Sequence, residues 1–198
     1  FYTDMVRITT RVLVPAAFLV GLFLVSQGTP QTMIGNLTVK TVEGSYQDIA
    51  LGPVAALESI KHLGTNGGGF LGANSSTPLE NPTMLSNLIE LYSMMLLPGA
   101  CVITFGKMVH ARRQEAADGM QRAGGLRARG GLSAAIYGRE GRSIFAAMGI
   151  LFVIGLSVCF WAESQGNPAL ADIGLDQAMG SMEGKEVRFG IAQSALFT

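Results

Sequence analysis

The fold turns on Val54–Phe70, VAALESIKHLGTNGGGF. Its first ten residues read as a short helix, Val54–Leu63. Pro53 stands just before them, where its missing N–H costs nothing, and Gly64 follows as a common helix stop. Ten residues are too few to cross a bilayer, which takes about 20. The three glycines Gly67–Gly69 come next, after Thr65 and Asn66 and with almost no charge nearby. Such a run can cradle a phosphate, make flexible turns or present bare backbone to an ion.

The flanking sequence narrows the choice. Three apolar runs are long enough to span a membrane: Ile8–Ser26, Leu88–Gly106 and Ile144–Ala162. Arg11 lies near one end of the first, where its side chain can snorkel. The second carries Glu90 near its start, an acid whose role the sequence leaves open, and Pro98-Gly99 further on. Trp161 closes the third, where an aromatic suits the interface. The composition agrees: 48% of the 198 residues are hydrophobic and 14% are charged, against about 25% in soluble domains. Zero net charge gives no basic field for nucleic acid. Cys101 and Cys159 lie in apolar runs and read as buried free thiols. The chain opens on Phe1 and reads as a piece of a longer protein.

Charge sets an orientation. Lys107–Arg142 holds eight Lys and Arg, whereas Gln27–Thr83 holds two and Glu163–Val187 one. The basic loop, 107–142, is therefore expected in the cytoplasm, with 27–83 and 163–187 outside. The order along the chain becomes long helix, loop, short helix, glycine run, long helix. That is the layout of a re-entrant pore loop. Irregular backbone at membrane depth is tolerated where protein buries it or where it lines a cavity.

The chemistry of a filter fits the segment. A dehydrated alkali cation needs several oxygens of moderate field strength, and backbone carbonyls supply them. Glycines let successive carbonyls point one way, and the negative end of a short helix can face the ion. A nucleotide loop would need Lys-Ser or Lys-Thr after the glycines, where Phe70 and Leu71 stand. A dinucleotide fold would need a βαβ unit, and the pattern offers none. On local pattern alone, an ion filter and a flexible outer loop both stay open.

Longer motifs carry a resemblance. SQGTPQT (Ser26–Thr32), IALGPVAALESIKHLGTNGGG (Ile49–Gly69), LGTNGGGFLGANSSTPLENPT (Leu63–Thr83), WAESQGNP (Trp161–Pro168) and SMEGKEVRFG (Ser181–Gly190) are spread over most of the chain. Together they resemble the KdpA family, the potassium-binding subunits of the bacterial Kdp potassium-transporting ATPase. The resemblance implies an all-α integral membrane protein of the potassium channel-like transporter superfamily, built from repeats of helix, re-entrant pore loop and helix. It implies one such repeat over 1–107, with pore helix and filter at 54–69. A cytoplasmic basic loop would follow over 108–143, then the start of the next repeat over 144–198. It implies K⁺ held by backbone oxygens of Thr65, Asn66, Gly67 and Gly68, with Gly69 next to them. The implied setting is the bacterial plasma membrane. The implied partners are a P-type ATPase subunit, small accessory subunits and membrane lipid. The chain carries no phosphorylation motif of such an ATPase and no nucleotide loop, so no catalytic residue and no bound nucleotide are expected in it. A pore-loop K⁺ channel or ion-gradient-driven transporter without an ATPase partner is the alternative.

Overall fold

A computed structural model describes residues 1–65, 68–124, 139–172, 174, 177, 179–182 and 184–197, with the side chains of 112–124 and 139 left aside. The structure is mostly helical, with three helical segments long and apolar enough to cross a membrane: Tyr2–Ser26, Met84–Ala111 and Glu140–Asp172. Each contains one of the three expected runs.

Helix α1 is Tyr2–Ser26. It widens into a π-helical turn at Thr9–Leu13, just ahead of Pro15. Proline lacks an N–H and its ring would collide with the carbonyl four residues back, so the widened turn absorbs the misfit. The Thr9 and Thr10 hydroxyls donate to the Met5 and Val6 carbonyls at 2.9 and 2.8 Å. A hydroxyl needs such a local acceptor in an apolar setting.

The hairpin after α1 departs from the all-α expectation. β1 (Asn36–Lys40) pairs antiparallel with β2 (Tyr46–Ala50), placing Asn36 opposite Ala50 and Lys40 opposite Tyr46. NLTVK and YQDIA are short, mostly exposed and only weakly alternating, so their periodicity does not mark them as strands.

Helix α2 is Val54–Leu63, as its flanking proline and glycine suggested. Its first N–H groups find acceptors from the chain that leaves α1. Ala55 N donates to the Pro30 carbonyl and Ala56 N to Gln31 Oε1, both at 3.0 Å. This satisfies donors that a helix start otherwise leaves orphaned. The helix packs closely on α1: a Cβ added at Gly21 would lie 3.4 Å from Ser59 Oγ. Small residues at such a contact let helix backbones approach, the usual route to packing inside a membrane.

Helix α3 is Met84–Gly124 and α4 is Arg139–Ser164; the short α5 (Pro168–Asp172) and α6 (Glu186–Phe197) follow. α3 opens with a reciprocal cap. Ser86 N donates to Thr83 Oγ1 and Thr83 N to Ser86 Oγ, both at 3.0 Å, the capping-box logic with serine in the glutamate's place.

Two compact units form. One comprises Phe1–Met95 with Cys159–Thr198, the other Leu96–Val158. Within the second, a Cβ at Gly141 would lie 3.4 Å from Gly106 Cα, so two buried glycines let α3 and α4 touch there. Cys101 is exposed and Cys159 half-buried, both free, which corrects the expectation of buried thiols. Their apolar surroundings in sequence are the outward faces of membrane-length helices.

The interior is inverted relative to a soluble domain. Among the described residues the buried apolar side chains are Leu24, Val54, Ala55, Leu63 and Ala195. Buried polar ones are more numerous and include Thr29, Glu58, Lys61, His62, Ser75, Glu80, Asn81, Asn87 and Glu90. Meanwhile Phe18, Leu19, Leu22, Leu151, Val153 and Trp161 face outward. Apolar side chains exposed along membrane-length helices, and polar ones buried, are what a hydrocarbon solvent selects.

Candidate functional site

The site is built where α2 ends. Gly64 closes the helix, and Thr65 then takes a left-handed conformation, φ 64°. Asn66 and Gly67 lie outside the described residues. Gly68 is exposed, with open space around the position of a Cβ. Gly69 is half-buried and left-handed, φ 49°. Thr65, Gly68 and Gly69 therefore share an irregular segment at the C-terminal end of a short, largely buried helix.

Sequence reasoning missed what stands behind that segment. Glu58, Lys61 and His62 occupy one face of α2, at the i, i+3 and i+4 spacing that brings helix side chains together. Glu58 Oε1 accepts from Lys61 Nζ at 2.6 Å, from His62 Nε2 at 2.9 Å, and from the Ser75 hydroxyl. Glu58, His62, Ser75, Glu80 and Glu90 are essentially fully buried. Burial pushes the Glu58 carboxyl up, but the bonds from His62, Lys61 and Ser75 outweigh it and hold the group at about 2. Burial likewise pulls His62 down, while the facing carboxylates of Glu58 and Glu90 raise it above its ordinary value.

Glu80 completes the arrangement. Its carboxylate accepts the Ser75 N–H at 2.9 Å and the Leu71 N–H at 3.3 Å. Its carbonyl accepts the Thr29 hydroxyl at 3.3 Å, tying the loop to the end of α1. Arg188, at the start of α6, donates to the Asn81 carbonyl at 2.5 Å and the Ser76 carbonyl at 2.8 Å. The amide of Asn81 donates to Asn87 Oδ1 at 2.7 Å, and Asn87 Nδ2 reaches the Gln193 carbonyl at 3.3 Å. Lys185 Nζ sits 3.3 Å from the centre of the Phe197 ring, and burial lowers this lysine to about 8. Polar ties thus run from the loop to α1, α3 and α6.

Glu58, His62 and Glu90 could by distance hold a metal, since one ligand atom from each lies within 4.8 Å of the others. The donor set speaks against it. Glu58 Oε1 already faces the Lys61 ammonium, and a second cation there would meet that charge at 2.6 Å from the shared oxygen. The cluster reads as an internally neutralised charge network. Glu90, left open by the sequence, lies within it: it is buried, and its Oε2 is 3.2 Å from His62 Nε2.

Three membrane-length helices and a polar interior define an integral membrane protein. The chain belongs to the family described as potassium-transporting ATPase A subunit, KdpA, whose model matches residues 1–120 and 129–198. It is 50% identical over 198 residues to the potassium-transporting ATPase potassium-binding subunit of Staphylococcus haemolyticus (strain JCSC1435), covering all of this chain and 31% of that protein. The subunit of the same name from Clostridium acetobutylicum is 49% identical over 198 residues, again 100% of this chain and 31% of the relative. That of Granulibacter bethesdensis is 44% identical over 197 residues, covering 100% and 30%. The chain spans about a third of the length of the curated relatives it matches.

Proposed function

We propose that this chain is part of the potassium-binding, channel-like subunit of an ATP-driven potassium uptake complex. Residues 1–107 act as one helix–pore loop–helix repeat, and the segment from Thr65 to Gly68, with Gly69 beside it, supplies backbone oxygens to dehydrated K⁺. The observation that carries the reading is the buried α2 stopping at Gly64 and giving way to an irregular segment between two membrane-length helices. The relatives' names specify potassium as the ion. Carbonyls at the end of a short helix suit such an ion because they replace hydration without a fixed charge. Nucleotide chemistry falls to a P-type ATPase partner, with small accessory subunits. The complex sits in the bacterial plasma membrane, with 107–142 in the cytoplasm and 27–83 and 163–187 outside.

The test uses the full-length subunit in its assembled complex. Gly67→Asp adds a carboxylate and a Cβ to the segment, and Gly68→Ala adds a methyl group where there is open space. Both are expected to weaken K⁺-stimulated ATPase activity at limiting K⁺ and to blur K⁺/Rb⁺ discrimination. Unchanged affinity and discrimination in both would sink the filter assignment.

A further inference from the structure

The loop that follows the glycine run is held in an unusual shape. Gly69, Gly72, Asn74 and Ser75 are all left-handed, with φ 49, 64, 50 and 61°. Residues other than glycine adopt that conformation at a cost and keep it where the surroundings over-determine it. At Ser75 the constraint is explicit: its N–H donates to Glu80 Oε2 at 2.9 Å and its hydroxyl donates to Glu58 Oε1. The same two carboxylates also flank Gly69. A Cβ there would lie 3.0 Å from Glu58 Oε2 and 3.5 Å from Glu80 Oε1. Between these points Leu71 N–H donates to Glu80 Oε1 at 3.3 Å.

Buried Glu80 therefore bonds the loop on both arms, at Leu71 and at Ser75, while buried Glu58 bonds it at Ser75 and lies against Gly69. We infer that Glu80 and Glu58 are positioning residues for ion discrimination, fixing the exit of the Thr65–Gly69 segment so that its carbonyl geometry depends on them. The inference rests on the filter reading above. Neither acid serves as an ion ligand here. Glu58 is neutralised by Lys61 and His62, and Glu80 spends both oxygens on backbone N–H groups. That use of Glu80 demands a carboxylate. Glutamine is isosteric but has one acceptor oxygen, so its amide NH₂ would face a backbone N–H.

The test measures half-saturating K⁺ and Rb⁺ for ATPase activity of the purified full complex, together with its melting temperature. Glu80→Gln is expected to raise half-saturating K⁺ about ten-fold or more and to narrow the K⁺/Rb⁺ ratio, with maximal rate changed less, because small misplacements at a pre-organised site weigh heavily. Glu80→Asp keeps two acceptors and should recover part of the ratio. Ser75→Gly tolerates the left-handed backbone and removes the side chain that joins the loop to Glu58, Lys61 and His62, so it reports on the Glu58 side of the grip even if Glu80→Gln fails to assemble. It should shift the ratio in the same direction. A ratio left at the wild-type value in Ser75→Gly, or in an assembled Glu80→Gln complex, overturns the inference. If Gly68→Ala moves the ratio and these variants do not, the positioning role falls and the filter stands. If none of them moves it, and Gly67→Asp does not either, both fall.

Discussion

His62 Nε2 stands 3.2 Å from Glu90 Oε2, joining the short helix α2 to the membrane-length helix α3 through two fully buried side chains. The same nitrogen is 2.9 Å from Glu58 Oε1, so one imidazole faces two carboxylates. Neither Glu90 oxygen has a hydrogen-bond partner among the described residues. Glu90 has His62 as its nearest cationic partner, with the charges of Lys185 and Arg188 acting from further off, whereas Glu58 is bonded directly by Lys61 and Ser75 as well.

This asymmetry orders a set of variants. Removing His62 (H62L) leaves Glu90 buried beside an apolar group, and breaking a buried pair in that way costs about 3–5 kcal/mol. Removing Glu90 (E90L) leaves His62 paired with Glu58 and should cost far less. The double variant H62L/E90L should be more stable than H62L alone. Thermal unfolding of the complete complex in detergent checks the order; equal melting temperatures for H62L and the double variant would contradict it.

The cluster also sets a pH window. Glu58 is held at about 2, below its ordinary 4.5, so its contribution to stability is present above 4.5 and is lost as pH falls toward 2. His62 is raised above its ordinary 6.5, so its contribution is complete below 6.5 and fades as pH climbs through the raised value. Melting temperature should therefore fall on both sides of a mildly acidic to neutral plateau. In the double variant H62L/E90L the alkaline decline assigned to His62 should disappear; an unchanged alkaline limb would show that another group governs it.

Arg188 should be needed to hold the loop beyond the glycine run. Its two bonds to the Asn81 and Ser76 carbonyls are charge-assisted, and one is exposed to solvent. Arg188→Ala is expected to cost about 2 kcal/mol in total, given about 1.5–3 for a bond to a charged group and less at the surface. Lysine lacks the planar fork and should recover under half of that. Hydrogen exchange at the Ser76 to Asn81 amides should speed up in both variants, more in the alanine. Protection equal to wild type would show that the clamp is idle.

Gly180 tests the backbone of the segment leading to α6. It is left-handed, φ 84°, and a Cβ there would lie 2.5 Å from Ile191 Cδ1 and 2.8 Å from the Glu163 carbonyl. The carbonyl is backbone and cannot swing away, so Gly180→Ala should destabilise by at least about 2 kcal/mol. Gly155→Ala, where there is open space on a membrane-length helix, should leave the melting temperature within error. Equal melting temperatures for the two variants would refute the contrast.

Several features were legible in the residues themselves. The apolar runs ending at Ser26, Gly106 and Ala162 announced three membrane-length helices, because length and hydropathy are local properties. Pro53 and Gly64 bracketed α2 to the residue, because cap and start signals act on the adjacent turn. The hairpin Asn36–Ala50 escaped notice because its strands are short and exposed on both faces, so no alternation marks them. Little local pattern marks the roles of Lys61, His62 and Arg188, beyond the Glu58, Lys61, His62 spacing on a mostly apolar helix, a usable sign of a buried charged face.

The sequence by itself determined that this chain enters a membrane, where its long helices lie, and that a short helix stops at a glycine-rich segment between two of them. Those facts follow from hydropathy, proline and glycine, which act over a turn or two. Only the tertiary structure decided that Glu58, His62, Ser75, Glu80 and Glu90 form one buried network behind that segment, and that Arg188 reaches back over more than a hundred residues to brace it. The physical reason is range. An unpaired charge is costly to bury, so each of these groups is fixed by partners that the path of the chain supplies, and no local pattern records that path.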